Sequence, residues 1–282
     1  MSVESDFINQ YEFRICAHKR SGHHAFIEWI LENTDGHYVF LNNLHMDTNP
    51  YNYDYIARRS NDRLITNIDY DFETDPFDKI KHYKKKLLMY NFENKPPSKC
   101  FSRTFQDNIE EWVGKSEKIM YVFFVRDPFN AISSYAKKTN GDLKKIKKFI
   151  KDYVSIYLES FNYIKEKPAN SLRVIYNNWL FDPSYRMYLG ERLELVMQSP
   201  DVQKRVAKWG SGSSFKVDEN YDNKIFETRW KNLLNYPEVI DIVLENKKFL
   251  KISKEIYSQI NNIDYEEIFF ELSERRSKLL TA

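Results

Sequence analysis

The sequence predicts an α/β fold with a mostly parallel central sheet flanked by helices. Three observations carry that prediction. Strand-like and helix-like segments alternate along the chain, the order that βαβ units produce. Ile119–Val125 is an unbroken apolar run, as expected of a parallel strand covered on both faces. Two strands also run straight into turns that open helices. The first is Arg14–Ala17 entering Lys19-Arg20-Ser21-Gly22-His23-His24; the second is Ile119–Val125 entering Arg126-Asp127-Pro128.

Composition bounds the rest. The chain has 282 residues, which favours one large domain over two. The reading is a single unit over 1–282, with an irregular insertion at about 46–78 and a helical part at about 237–282. Hydrophobic residues make up 42% and aromatics 16%, enough for a substantial core. The 43 basic and 41 acidic residues nearly cancel, leaving +2. That balance argues against a general nucleic-acid binder and against a disordered chain. Runs such as Lys84-Lys85-Lys86 read as solvated faces. Two cysteines are too few for a disulfide framework. No apolar stretch reaches the ~20 residues of a membrane span, and the first residues lack the pattern of a secretion signal. The expectation is a soluble, cytoplasmic protein with no membrane span and no nucleic-acid partner.

The elements follow in order. Phe13–Ala17 reads as a strand and Ala25–Asn33 as a helix closed by Asp35-Gly36. Tyr38–Leu41 is a short strand. Residues 46–78 are rich in Asn, Asp and Tyr, with weak periodicity. Lys86–Glu93 is a strand stopped by Pro96-Pro97. Ile146, Phe149, Ile150, Tyr153, Tyr157 and Phe161 recur at three-four spacing, marking a long amphipathic helix that ends before Pro168. Leu172–Tyr176 is a further strand. Asp182-Pro183 is a helix start with an N-cap and proline at N1. Trp209–Ser214 is a glycine-dense loop, and 237–249 and 254–280 read as helical.

The two turns suit phosphate groups, because free N–H groups and the helix dipole both point at an anion there. Two such sites imply a ligand with two separated phosphates. The first turn lacks GxxxxGK[ST] and so is no Walker loop. Backbone N–H groups of Gly22 to Ala25, with Arg20 and Lys19, are the candidate 5′-phosphate binders, and His23 and His24 are candidate donors. An ordinary basic turn would look the same taken alone. In the second turn Arg126 and Ser134 are placed to reach one phosphate from two sides. An arginine paired with a local carboxylate is the competing reading.

Together these residues resemble the sulfotransferases that use 3′-phosphoadenosine-5′-phosphosulfate (PAPS, with product PAP). That family carries [KR]-S-G-T-T in its first turn, where this chain has Arg20-Ser21-Gly22-His23-His24. It carries R-[ND]-P-x-x-x-x-x-S in the second, matched by Arg126, Asp127, Pro128 and Ser134. Tyr176-Asn177-Asn178 fits its later strand end. Ser213-Ser214-Phe215 stands where the family has T-S-F, whose ring packs on adenine, and Trp230-Lys231-Asn232 follows. The departures are His23 and His24 in place of two threonines, and Ala25 in place of a tryptophan that stacks on adenine. Trp209 is a substitute for that tryptophan. The family's R-K-G triplet is not visible, and Lys224 or Arg229 is its stand-in.

The resemblance implies a P-loop-like sulfotransferase fold and transfer of a sulfuryl group from PAPS to a hydroxyl or amine, with no metal required. It also implies that Arg20 and the first helix's N–H groups stabilise charge on the leaving phosphate. The acceptor's proton needs a base; His45 is the first candidate and Glu93 the second. The acceptor is unread, though Tyr, Asn and Asp at 46–78 are compatible with a carbohydrate. Two alternatives stay open at this point: an ATP-dependent phosphotransferase on a degenerate P-loop, and a non-catalytic nucleotide-binding protein.

Overall fold

The computed structural model describes residues 7–45, 49–51, 64–69, 77–197, 227–260 and 263–280. Its centre is a six-stranded sheet in the order β3-β2-β4-β1-β5-β6. The strands are β1 (Asn9–Ala17), β2 (Tyr38–Leu41), β3 (Leu64–Thr66), β4 (Lys85–Glu93), β5 (Ser116–Val125) and β6 (Ser171–Ile175). Every pairing is parallel except β2 with β3. β1 lies between β4 and β5, with Ala17 opposite Glu93 on one side and Phe124 on the other.

The central strands are buried because helices cover both faces, and the charged pair that β1 buries, Glu12 and Arg14, is joined at 2.7 Å. On one side α1 (His23–Glu32) lays Phe26, Ile27 and Ile30 on Ile15, Met89 and Phe124. On the other, α5 (Leu143–Glu166) buries Ile146, Phe149, Ile150 and Tyr153. The stripe is the packing face that its three-four spacing announced as far as Tyr157, whereas Phe161, read as its last member, is 50% exposed. α4 (Pro128–Thr139) opens on Asp127, whose side chain accepts from Asn130 N–H at 2.9 Å. α6 (Tyr176–Phe181) and α7 (Pro183–Arg192) follow β6. Asp182 caps α7 by accepting from the N–H groups of Ser184 and Tyr185.

Several boundaries differ from the sequence reading. Tyr176 is the first residue of α6, not the end of a strand. The periodicity omitted α2 (Pro97–Cys100) and α3 (Arg103–Val113), although Phe105, Ile109 and Val113 form a buried stripe. The C-terminal part is three helices: α8 (Pro237–Glu245), α9 (Lys247–Tyr257) and α10 (Tyr265–Leu280). Asn246 makes the first break, accepting from Phe249 N–H at 2.9 Å to restart the helix. Within the irregular region, β3 and a 3₁₀ turn at Phe77–His82 are described. No helix among the described residues is long and apolar enough to cross a membrane.

Candidate active site

The sheet order itself places the site. From β1 the chain crosses through α1 to β2 on one side, whereas from β5 it crosses to β6 on the other. The turns leaving β1 and β5 therefore diverge, and a crevice opens between them at the carboxyl ends of the strands. Those are the two turns singled out from sequence.

The first turn is held open by special backbone. Arg20 has φ 65° and Gly22 φ 88°, both left-handed. A Cβ at Gly22 would lie 2.6 Å from Tyr176 Cε2, so the close approach of α6 also demands glycine. No side chain caps α1. The turn is tied to β4: Lys19 N–H donates to Asn94 Oδ1 at 2.9 Å, and Asn94 N–H donates to Ala17 O at 3.0 Å. His18 folds inward, with its ring edge-on to Phe149 at 4.1 Å and its Nδ1 donating to Lys19 O at 2.9 Å. Burial pushes its pKa down to about 4, so it is neutral at pH 7.

The second turn meets the first directly. Arg20 Nε donates to Ser134 Oγ at 3.1 Å, and Arg126 Nη1 donates to Arg20 O at 3.0 Å. Arg126 is 3% exposed and lies over the Tyr176 ring at 5.0 Å. Its Nε and Nη2 make no hydrogen bond among the described residues, since Asp127 Oδ2 is 3.8 Å from Nε. Burial, and then the charge of Arg126, lower the pKa of Arg20. Arg126, buried and with two nitrogens unpaired among the described residues, and the half-buried Arg20 whose pKa its charge depresses, form an anion site by charge and by geometry. Lys19 Nζ stands over Tyr135 of α4 at 4.3 Å. Arg229 is buried beside this turn, because its carbonyl accepts from Ser133 Oγ at 2.6 Å and Trp230 N–H donates to Asn130 Oδ1 at 2.6 Å.

A third group gathers at the end of β4. Glu93 Oε1 lies 3.2 Å from His23 Nε2 and 3.7 Å from His24 Nε2. The two rings lie tilted against each other with centroids 4.1 Å apart. Ser21 Oγ is 3.1 Å from His23 Nδ1, Asn91 Nδ2 is 3.1 Å from His23 Nε2, and Asn42 Oδ1 is 3.1 Å from His24 Nε2. Burial opposes ionisation of Glu93, but the His23 hydrogen bond and the nearby imidazoles outweigh it and hold its pKa at about 2. Burial and the neighbouring His23 lower His24 to about 4.

The structure thus brings together Lys19, Arg20, Ser21, Gly22, His23, His24, Glu93, Arg126, Ser134, Tyr176 and Arg229. Ala25 is half-buried on the first turn of α1. His45 is exposed, on the loop that Leu44 pins across β4 by donating its N–H to Asn91 O at 2.8 Å. Ser213, Ser214, Phe215, Trp209 and Lys224 lie outside the described residues. The sequence reading passed over His18, Asn42, Asn91 and Asn94. Asn91 and Asn94 carried a usable signal, since one is an amide that follows the apolar run Leu87–Tyr90 of β4 and the other comes directly after the strand.

The sequence matches no protein-family model and no curated protein. Among solved structures it matches the crystal structure of mouse sulfotransferase SULT7A1 complexed with PAP. The match covers 88% of this chain and 89% of that one, at 12% identity and a TM-score of 0.46.

Proposed function

We propose that this chain is a sulfotransferase that takes a sulfuryl group from PAPS and passes it to a hydroxyl or amine. One observation carries the reading: two basic strand-to-helix turns converge at the switch point of the sheet, joined by Arg20–Ser134 and Arg126–Arg20 contacts. A ligand with phosphates at both ends of a nucleoside fits two turns; a single polyphosphate tail needs only one. The unspent donors of buried Arg126 and the glycine-only approach at Gly22 fit phosphate groups at both turns.

The donor supplies an activated sulfuryl group. In this reading the N–H groups opening α1, together with Arg20, bind and polarise the bridging phosphate; each such preorganised donor is worth about 3 kcal/mol in the transition state. Arg126 and Ser134, with Arg229 beside them, hold the 3′-phosphate and fix the nucleotide in line. Ser213-Ser214-Phe215 is the proposed adenine clamp. A carboxylate with a pKa of about 2 is a poor base, so Glu93 orients the imidazoles and His45 takes the acceptor's proton. Replacing a general base costs about 10²–10⁴-fold, which is the expected drop in kcat for His45→Ala.

The direct test is thermal stabilisation by 3′,5′-adenosine bisphosphate, compared with AMP and ATP–magnesium at matched concentrations. At a hundred times Kd a ligand adds about 2.7 kcal/mol, a rise on the order of 5 °C or more. The bisphosphate should give the largest shift, and Arg126→Ala should abolish it. A larger shift with ATP–magnesium would make the chain a phosphotransferase instead.

A further inference from the structure

The group at the end of β4 has an imbalance that protons alone do not settle. Asn91 Oδ1 accepts from the backbone N–H of Asn43 at 2.6 Å, which turns its NH₂ end toward His23 Nε2, 3.1 Å away. That N–H donor asks for a lone pair on Nε2, whereas the hydrogen bond to Glu93 asks for a proton on the same atom, and Ser21 Oγ, 3.1 Å from Nδ1, can serve either tautomer. The same Nε2 faces Glu93 Oε1 at 3.2 Å. His24 Nε2 faces the same Glu93 Oε1 at 3.7 Å and one further oxygen, Asn42 Oδ1, at 3.1 Å. Two imidazole nitrogens and two oxygens therefore converge, and the ligating atoms of His23, His24 and Glu93 all lie within 4.8 Å of one another.

We propose that His23, His24 and Glu93, with Asn42 Oδ1 as fourth donor, form a site for a divalent transition metal of the zinc type. Two imidazoles and a carboxylate are a zinc set that leaves one position for a further oxygen, and nitrogen-oxygen donors of this kind exclude magnesium and calcium as preferred occupants. The surroundings support ligation as well. Ser21 Oγ, 3.1 Å from His23 Nδ1, is placed to accept its proton in the tautomer that presents Nε2, which is the role an outer-shell partner plays at metal sites. Both histidines sit on one turn of α1, and Glu93 is locked opposite Ala17 by strand register. Three of the four donors are therefore held by a helix and a strand, and Asn42 follows directly on β2. Glu93 offsets the positive end of the α1 dipole, which by itself disfavours a cation.

The site shares the start of α1 with the proposed 5′-phosphate turn, and it is tested without nucleotide so that the two readings can fail separately. Full-length protein, stripped with chelator, is titrated with Zn²⁺ by calorimetry and with Co²⁺ by visible absorption. The expected result is one ion per chain, with a Co²⁺ d–d band marking nitrogen and oxygen ligation. His24→Gln and Glu93→Gln should each weaken binding by about ten-fold or more, Ser21→Ala by a similar factor, and His82→Gln not at all. His24 is partly exposed, with 20% of its side chain accessible, so His24→Gln tests the site with little risk to the fold. Near-ultraviolet dichroism checks each variant. Absence of a d–d band, or equal Zn²⁺ affinity in folded His24→Gln and wild type, overturns the proposal. Zn²⁺ binding without bisphosphate stabilisation would overturn only the sulfotransferase reading.

Discussion

At Gly22 one residue meets two requirements at once, a left-handed backbone with φ 88° and a Tyr176 ring edge where a Cβ would sit. The Tyr176 ring has little room to yield, since Arg126 lies over it at 5.0 Å and Phe124 and Trp179 flank it at 6.1 and 5.9 Å. Gly22→Ala should therefore cost about 1–2 kcal/mol from the backbone alone, and more from displacing the ring. Combining it with Tyr176→Ala separates the two. Urea unfolding should show a double variant less destabilised than the sum of its singles, and strict additivity would mean that the ring moves aside freely. The glycine of the first turn was legible from sequence as part of a phosphate motif. Its second job was not, because the partner lies far along the chain and only the sheet brings it close.

The elements behind the second turn explain why the C-terminal helices matter to the site. Asp127 is fully buried, caps α4 with Oδ1, and accepts on the same oxygen from Tyr257 Oη of α9 at 2.9 Å. Tyr153 of α5 donates to Arg126 O at 2.5 Å. Both helices thus anchor the turn from the side away from the crevice. A hydrogen bond to a charged group contributes about 1.5–3 kcal/mol, so Tyr257→Phe should lower stability by that amount, read as a fall in the urea midpoint with an unchanged m-value. An unchanged midpoint would show the contact to be dispensable. At this scale the sequence was informative where one period persisted: Ile146 to Phe161 announced α5, and Ile119–Val125 announced β5. It was silent where tertiary contacts decide. α3 shows only four apolar residues, Phe105, Ile109, Trp112 and Val113, and the break at Asn246 is a cap inside an otherwise helical stretch. Tyr176 leaves the sheet for α6, although its strand propensity points the other way. The cluster at β4 was legible only in pieces, as a histidine pair in one motif and an acidic strand end in another. Parallel register put them together.

Across the whole molecule, the buried histidines set the response to acid. His18 and His24 both have folded pKa values of about 4, against 6.5 when exposed. As pH falls, the unfolded chain takes up those protons first, so stability is whole above pH 6.5 and drains away down to about pH 4. Glu93 is depressed from 4.5 to about 2, so its share is whole above 4.5 and lost between 4.5 and 2, a lower window. Each fully differential proton contributes a slope of about 1.4 kcal/mol per pH unit. His18→Gln should therefore flatten the dependence between pH 6 and 4.5 by roughly that amount per unit, whatever its absolute stability. Glu93→Gln should leave that window nearly as steep and change the curve only below pH 4.5. Urea unfolding at half-unit pH steps reads both slopes. If His18→Gln tracks the wild-type slope, the imidazole is already charged in the folded protein and the inward-folded reading of the first turn fails. Neutral His18 matters to the site as well. A charged ring would add a fourth cation to Lys19, Arg20 and Arg126, in a crevice where the two arginines already repel each other.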